Sequence, residues 1–432
     1  MKITVIFGGP GVGKSSWLAN KYKELLTVYK PKDIVFVSYT RKQTSNGLKK
    51  VKKVTKKRYV QLKDSFRTVH SMSRQSYGTD TDVLDYVIVD RMSDFLQVDM
   101  TPVVRAIDYM KNVMSDNDAV GANRAGLDTK TFQKLKLFYN SVKEGYKKRG
   151  NAKIDYADMI EHAARFDYVS NAKVVMLDEV QDFSTLQWQA IYKVFRNVEE
   201  MYVAGDPNQA LYRFSGGNSN YMFNIRCDET VMLSQSRRCC IQVMDMATLV
   251  WKQIKKSAEM PLPTRQNGFA VFSPSKPTKR LLSAFVKQQM LGQNIMVLAN
   301  TYYQLLEVER MFLAVYPDLP HNFIAGRRKE YYHGKEKHPI IFSTVHQAKG
   351  LEAQYVLYDV SYGRSSSKFE CTTGEDLFED FWKTLYTGIT RARQGIVLFQ
   401  LSTPLAGEPN CLDVLYYANF GNKYYKRWLE TK

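Results

Sequence analysis

Short runs of β-branched and aromatic residues recur along the chain, at Ile3–Phe7, Ile34–Ser38, Val174–Leu177, Met201–Ala204, Ile295–Ala299, Ile340–Ser343, Tyr355–Tyr358 and Ile396–Gln400. They are nearly continuous in apolar character rather than alternating, which is the pattern of strands buried on both faces of a parallel sheet. Between several of them the period changes. Leu18, Tyr22, Leu25 and Tyr29 follow one another by four, three and four positions and predict an apolar stripe on a helix opening at Ser15. Strands alternating with helices predict an α/β fold. From Asp94 to Phe166 the strand signal lapses, and Phe132, Leu135, Phe138 and Val142 carry helical periodicity, which predicts a helical insertion. A second strand series resumes after Leu233, so the chain reads as two α/β units joined near residue 232 rather than as one oversized sheet.

Composition narrows the class. At roughly 100 to 200 residues per domain, 432 residues allow two to four compact units. A hydrophobic content of 44% with 24% charged residues excludes a wholly disordered, collagen-like or coiled-coil chain. No apolar run approaches the 18 or so residues of a membrane span, and Ile3–Phe7 is too short for a signal peptide. A soluble protein of the cytoplasm, working without a membrane, is expected. The 62 Lys and Arg against 43 Asp and Glu leave a charge of +19, which points to a polyanionic partner, the alternative being a Lys-rich surface that only aids solubility. Seven of the ten residues in Lys49–Arg58 are basic, and they read as a mobile, solvated loop that either tracks a phosphodiester chain or faces solvent. The five cysteines are odd in number and form no CxxC pair, against a disulfide framework or structural zinc and in favour of a reducing compartment.

Two segments carry chemistry. Gly8, Gly9, Pro10, Gly11, Val12, Gly13, Lys14 and Ser15 fit GxxxxGK[ST] between a β run and a helix, with Ser16 following. The glycines let backbone N–H groups surround phosphate oxygens, Lys14 bridges the terminal phosphates, and the Ser15 hydroxyl suits Mg²⁺. The Val174–Leu177 run delivers Asp178-Glu179-Val180-Gln181-Asp182 at a strand's carboxyl end, where ligands collect in parallel sheets. Asp178 suits the metal and Glu179 suits activation of a water for in-line attack, so hydrolysis is favoured over transfer to a hydroxyl.

In order along the chain, these and later segments resemble the UvrD/Rep-like group of superfamily 1 DNA helicases. Ser38-Tyr39-Thr40-Arg41-Lys42 resembles the segment whose aromatic residue stacks on a DNA base, and Arg67-Thr68-Val69-His70-Ser71 a DNA-contacting stretch. Ile154-Asp155-Tyr156-Ala157-Asp158-Met159 resembles the signature ahead of the acidic motif, which Gln187 follows at the family spacing. Gly205-Asp206-Pro207-Asn208-Gln209 with Tyr212-Arg213-Phe214 resembles the motif in which the glutamine senses γ-phosphate and the aromatic stacks on DNA. Leu233–Arg238, Thr344–Glu352 and Tyr386–Arg393 resemble the remaining motifs.

The resemblance implies two RecA-like P-loop motor domains in tandem with parallel sheets: residues 1–93 and 167–232 forming the first, 94–166 its helical insertion, and 233–432 the second. It implies an ATP-dependent DNA helicase and single-stranded DNA translocase of 3′ to 5′ polarity, using ATP and Mg²⁺ in a cleft between the two domains. Lys14, Asp178, Glu179, Gln209, Arg238 and Arg391 take the catalytic roles, with Arg238 and Arg391 reaching the γ-phosphate; Ser15 and Asp178 take the metal. Gly8 to Ser16, Arg237 and Glu352 take the nucleotide, and Tyr39, Thr40, Thr68, His70, Tyr212, Phe214, His346 and Lys349 the DNA. The implied partners are single-stranded and tailed duplex DNA, with single-strand-binding, replication or repair proteins, for a monomeric motor in the cytoplasm, the host's if phage-encoded.

Three departures qualify the likeness. The chain begins at the P-loop strand, ahead of which the family usually carries an adenine-reading glutamine, so hydrolysis is implied more firmly than preference for ATP. Arg237 stands where an adenine-stacking aromatic is common, and its plane can also stack on a ring. In place of the family's large insertion, a short loop or hairpin is expected at about 319–338. That loss keeps open an ATP-gated DNA-binding or loading protein that separates no strands; a P-loop phosphotransferase is the rival among enzymes. The aromatic and basic stretch Tyr416–Lys432 is expected to dock within the chain rather than on another protein.

Overall fold

The computed structural model describes residues 1–77, 82–84, 86–150, 152–166, 168–255, 258–265, 267–324, 339–362, 374–402, 411–416 and 418–430. Contacts divide them into two units: Met1–Phe7 with Lys14–Met232, and Gly8–Gly13 with the chain from Leu233 on.

In the first unit, strands β1 (Lys2–Gly8), β2 (Ile34–Ser38), β3 (Phe66–Thr68), β6 (Val174–Asp178), β7 (Glu200–Gly205) and β8 (Glu229–Leu233) form a sheet in the order β3-β2-β6-β7-β1-β8. From β3 to β1 every pairing is parallel, with Ser38 opposite Asp178 and Asp178 opposite Ala204. All five residues of β6 are buried, as its unbroken apolar run requires. Helices α1 (Lys14–Leu25), α2 (Arg41–Thr55), α4 (Val69–Tyr77) and α10 (Thr185–Val194) flank the sheet, and α3 (Tyr59–Leu62) and α11 (Asn220–Phe223) are single turns. Leu18, Tyr22 and Leu25 face inward from α1, but the helix ends there; Tyr29 lies beyond it, with its hydroxyl donating to Glu199 Oε2 at 2.9 Å.

The basic segment Lys49–Arg58 is not the loop its composition suggests. Its first seven residues complete α2, which Thr40 opens by accepting from Gln43 N at 3.2 Å. Gln43, Gly47 and Val51, four positions apart, form its buried face, while the lysines fall on the solvent side. Gly47 is required by close approach, since a Cβ there would lie 2.9 Å from the Phe36 ring.

Helices α5 (Tyr86–Leu96), α6 (Thr101–Val113), α7 (Asp118–Ala125), α8 (Thr129–Lys148) and α9 (Tyr156–Arg165), with the short parallel pair β4 (Asp82–Val83) and β5 (Lys153–Ile154), interrupt the strand series. Phe132 and Tyr139 are buried at their centre, and Leu135, Phe138 and Val142 pack around them. A polar cluster joins α6, α8 and α9. Asp155 Oδ1 accepts from Asp158 N at 2.7 Å, and its Oδ2 accepts from Tyr139 OH at 3.0 Å, Lys111 Nζ at 2.9 Å and Lys143 Nζ at 2.8 Å. Burial alone would raise the Asp155 carboxyl, but Lys111 and Lys143 outweigh it and hold it well below the usual range. Asp108 is the opposite case. Its Oδ1 has no hydrogen-bond partner among the described residues, and burial, with Asp155 nearby, pushes its carboxyl up to about 7.

The two signs differ. Asp155 contributes stability above about pH 4 that is lost as the pH falls below its unfolded value, whereas Asp108 removes stability as the pH rises from about 4 to its folded value and no more beyond it. Asp108→Asn is therefore expected to raise the melting temperature at pH 8 much more than at pH 4.5, as followed by circular dichroism. An equal shift at both pH values contradicts this assignment.

In the second unit, β11 (Phe269–Ser273), β12 (Ile295–Ala299), β13 (His321–Phe323), β14 (Ile340–Thr344), β15 (Ala353–Asp359), β16 (Ala392–Phe399) and β17 (Asn419–Phe420) form a sheet ordered β13-β14-β12-β15-β16-β11-β17. Its pairings are parallel except that of β17 with β11. A separate parallel pair joins β9 (Gln235–Cys240) to β10 (Leu262–Arg265). Helices α12 (Ile241–Trp251), α13 (Lys279–Met290), α14 (Tyr302–Leu313), α15 (Gly374–Ile389), α16 (Leu412–Leu415) and α17 (Asn422–Leu429) complete it. Within the stretch expected as a loop or hairpin at 319–338, His321–Phe323 is instead a strand parallel to β14, and 325–338 lies outside the described residues. Trp428 of α17 packs at ring-centroid distances of 5.0 Å on Phe269, 4.9 Å on Phe285 and 5.4 Å on Tyr355, so the described part of the C-terminal segment docks within the chain.

Candidate functional site

The carboxyl ends of the first sheet gather most of the predicted residues of that unit. β1 runs into the glycine loop, and Lys14 and Ser15 open α1 directly after it. β6 ends on Asp178, with the Ser15 side chain close to its carboxyl. Burial, with Glu179 alongside, pushes the Asp178 carboxyl up to about 6 even though Ser15, Lys14 and Lys50 pull it down. Such a group gains most from a nearby cation.

Glu179 is non-glycine yet sits at φ 60°, ψ 38°, in the left-handed region, and its N–H donates to Asp178 Oδ1 at 3.1 Å. That conformation costs of order 1 kcal/mol or more for a residue with a Cβ, and it turns the glutamate out of the strand line at the sheet's edge. Gln181 supports it: Nε2 donates to Glu179 Oε2 at 2.7 Å, and Oε1 accepts from Asp206 N at 3.0 Å. Gly205 makes room, because a Cβ there would lie 2.7 Å from Gln181 Oε1. Gln181 therefore ties the end of β6 to the end of β7. Sequence reading placed it inside the acidic motif without a task, since nothing in the spacing shows which way its amide turns. Gln209 is buried just beyond β7, with its N–H on Asp206 O at 2.9 Å, and Gln187 caps α10 through Ser184.

On the same edge, three half-buried rings form a row. Tyr39, after β2, lies 4.7 Å from Tyr212 between ring centroids, and Tyr212 lies 5.9 Å from Phe214. The Tyr39 hydroxyl bonds Ser215 Oγ at 3.2 Å, and the Phe214 carbonyl accepts from Arg124, whose guanidinium covers the Tyr109 ring at 3.5 Å. Burial pushes the Tyr39 phenol up to about 12, so the row is uncharged at neutral pH. Thr40 and Thr68 are engaged locally, Thr68 Oγ1 accepting from Ser71 N at 3.2 Å as the first turn of α4 begins. His70 meets Tyr156 edge-on at 5.3 Å, and burial lowers it to about 4, which leaves a neutral imidazole.

In the second unit, Ala353 pairs with Ala392, which brings Glu352 and Arg391 to the same end of β15 and β16. Arg391 is 1% exposed, with Nε on Thr387 O at 2.9 Å and Nη1 on Leu351 O at 3.4 Å. Arg238, on β9, donates from Nε to Glu352 Oε2 at 2.7 Å, and Arg393 Nη1 stands 3.2 Å from Glu352 Oε1. Arg237 is exposed beside it. The loop Gly8–Gly13 groups with this unit, where Ser236 Oγ donates to Pro10 O at 2.7 Å and Arg237 N to Gly11 O at 3.1 Å. His346 and the largely buried Lys349 follow the opposite, carboxyl end of β14.

No group of three or more His, Cys, Asp or Glu placed to hold a metal occurs among the described residues, and none of the described helices is long and apolar enough to cross a membrane. Ser15 and Asp178 are hard oxygen donors beside a phosphate loop, which fits Mg²⁺, an ion that takes few protein ligands and keeps waters or phosphate oxygens for the rest.

The model of an AAA domain matches residues 1–215, and that of the UvrD-like helicase C-terminal domain matches residues 339–399. A probable DNA helicase II homolog of Mycoplasma pneumoniae is 24% identical over 329 residues, covering 68% of this chain and 45% of its own length. Its namesake in Mycoplasma genitalium is 20% identical over 305 residues, covering 61% and 42%. The chain thus spans less than half the length of these curated relatives. Among solved structures, an arterivirus nonstructural protein 10 (helicase) aligns at 12% identity and a TM-score of 0.41, over 96% of this chain and 62% of that one. Both family models fall on segments that carry the motifs, and together with the Mycoplasma relatives they support a UvrD/Rep-like superfamily 1 helicase.

Proposed function

We propose that this chain is a DNA-dependent ATPase that moves 3′ to 5′ along single-stranded DNA and separates duplex strands. The observation that carries this reading is the gathering, along one carboxyl edge of a single sheet, of the Lys14–Ser15–Asp178–Glu179 group and the Tyr39–Tyr212–Phe214 row.

In this reading Lys14 neutralises the terminal phosphates and Glu179, held by Gln181, takes a proton from the water that attacks the γ-phosphorus as the bond to the departing diphosphate breaks. Ser15 and Asp178 would hold Mg²⁺, which supplies charge neutralisation across the phosphates when bound. Arg238 and Arg391 supply the remaining positive charge, and the backbone of Gly8–Ser16 with Arg237 holds the rest of the nucleotide. The γ-phosphate is then a ligand with different affinities for two conformations, which is what a hydrolysis-driven motion requires. Gln209 and Tyr212 stand three positions apart on one loop, so a phosphate-dependent shift of one displaces the other. Stacked rings hold bases without regard to sequence, as a motor needs. His346 and Lys349, with Thr40, Thr68 and His70, contact the strand in support.

Phe214→Ala removes one stacking surface, worth about 1 to 3 kcal/mol per base, and is expected to lower the distance travelled per ATP more than it lowers the hydrolysis rate. An unchanged translocation rate on single strands contradicts the stacking role. Polarity and unwinding are tested with duplexes carrying a 3′ or a 5′ tail. Displacement from the 3′-tailed duplex alone is expected, displacement from the 5′-tailed one alone overturns the polarity, and DNA-stimulated hydrolysis with no displacement selects the loading protein instead.

A further inference from the structure

The pairing of Glu352 with two arginines assigns it a task other than holding nucleotide. We infer that Glu352 is a positioning residue that fixes the Arg238 guanidinium in advance for the γ-phosphate, with Arg393 holding Glu352 in turn. The inference rests on the function proposed above and deepens it.

A guanidinium carries five N–H donors in a rigid fork. Arg238 spends its single Nε–H on Glu352 Oε2 at 2.7 Å, and Nη1 donates to Thr390 O at 3.4 Å. Neither bond uses Nη2. The fork is thereby held along its Nε side and presents its far end, which is the arrangement that suits an incoming oxyanion. Without such partners a long side chain must be ordered at the moment of reaction, at a cost in rotamer freedom that preorganisation avoids.

Glu352 is itself held on both oxygens. Oε2 takes Arg238, and Oε1 faces Arg393 Nη1 at 3.2 Å. A sugar hydroxyl would have to compete with one charge-assisted hydrogen bond, roughly twice as strong as a neutral one, and with a second ion pair at 3.2 Å. Burial alone would raise the Glu352 carboxyl, but Arg238, Arg393 and Arg391 hold it below its usual value, so it remains an acceptor at neutral pH. The backbone adds a second link. The Thr390 carbonyl that receives Arg238 Nη1 belongs to the residue immediately before Arg391, so one peptide relates the two arginines assigned to the phosphate. The side chain of Glu352 is 39% exposed, so this ion pair contributes little to folding, and its removal leaves a folded protein in which only the aim of Arg238 is lost.

The test uses the full chain, saturating single-stranded DNA, and both ATP and 2′-deoxy-ATP. Glu352→Ala is expected to lower kcat about 10- to 100-fold, the scale of a misplaced reacting group, with Glu352→Gln falling between it and wild type. KM should change by less than about threefold, and the wild-type ratio of ATP to 2′-deoxy-ATP activity should persist. The double variant Glu352→Ala with Arg238→Ala should be no slower than Arg238→Ala alone, because both act through one guanidinium.

Three results overturn the inference: unchanged kcat in Glu352→Ala; a raised KM with loss of the ribose discrimination, which makes Glu352 a sugar ligand; or multiplying losses in the double variant. Melting curves accompany each variant, and if the alanine protein is unfolded the glutamine protein carries the same comparison. A wild-type chain that hydrolyses no triphosphate removes the proposed function and the inference together, whereas an active wild type with an indifferent Glu352→Ala removes the inference alone.

Discussion

Glu179→Gln is expected to reduce ATP turnover by about 10²- to 10⁴-fold, the usual range for loss of a general base, while leaving nucleotide binding intact. The substitution is nearly isosteric. Gln181 can still reach the side chain at position 179, so the left-handed backbone and the link to Asp206 survive. What disappears is the ability to accept a proton from the attacking water. Asp178 also loses a charged neighbour that raises its carboxyl, so any effect on the pair proposed to hold the metal is toward tighter binding. Binding of a fluorescent ATP analogue should be equal to or tighter than in wild type, with single-turnover hydrolysis almost abolished. Retained turnover removes Glu179 from the role of base.

The second large effect is expected at Arg391. Arginines that meet transferring phosphate are worth about 10³ to 10⁵ in rate where they act in GTPases. Arg391 is fully buried, so truncation to alanine would leave a cavity and remove its bonds to the carbonyls of Thr387 and Leu351. Arg391→Lys keeps most of the volume and the charge but loses the planar fork. It should lower kcat by about 10³-fold with a small change in melting temperature, as judged from ATPase rates and thermal unfolding in parallel. A loss of melting temperature with normal specific activity in the remaining folded protein would make Arg391 a purely structural residue.

The sheet framework was legible because buried parallel strands advertise themselves as unbroken apolar runs, and each of the eight runs identified falls within or almost wholly within a strand. The phosphate loop and acidic pair were legible because their residue types have few other uses in that order. Other features depended on direction or on partners remote in sequence. The basic run on α2 masked a helix whose inner face is only Gln43, Gly47 and Val51; the Thr40 and Gln43 capping pair was the available sign. Asp155 and Asp158 matched a family signature, yet their partners Lys111 and Lys143 lie on helices α6 and α8, which no spacing rule connects to α9. Gln181 and Arg393 were likewise visible as letters within motifs, while their tasks reside in which atoms they face.

The measurement that bears most directly on the account is steady-state ATP hydrolysis by the full chain with and without single-stranded DNA. If the aromatic row and the phosphate site on one sheet edge work as a coupled device, DNA should raise kcat by about tenfold or more, equivalent to ~1.4 kcal/mol of barrier. Equal rates in the presence and absence of DNA, with DNA binding demonstrated in the same buffer, would contradict it.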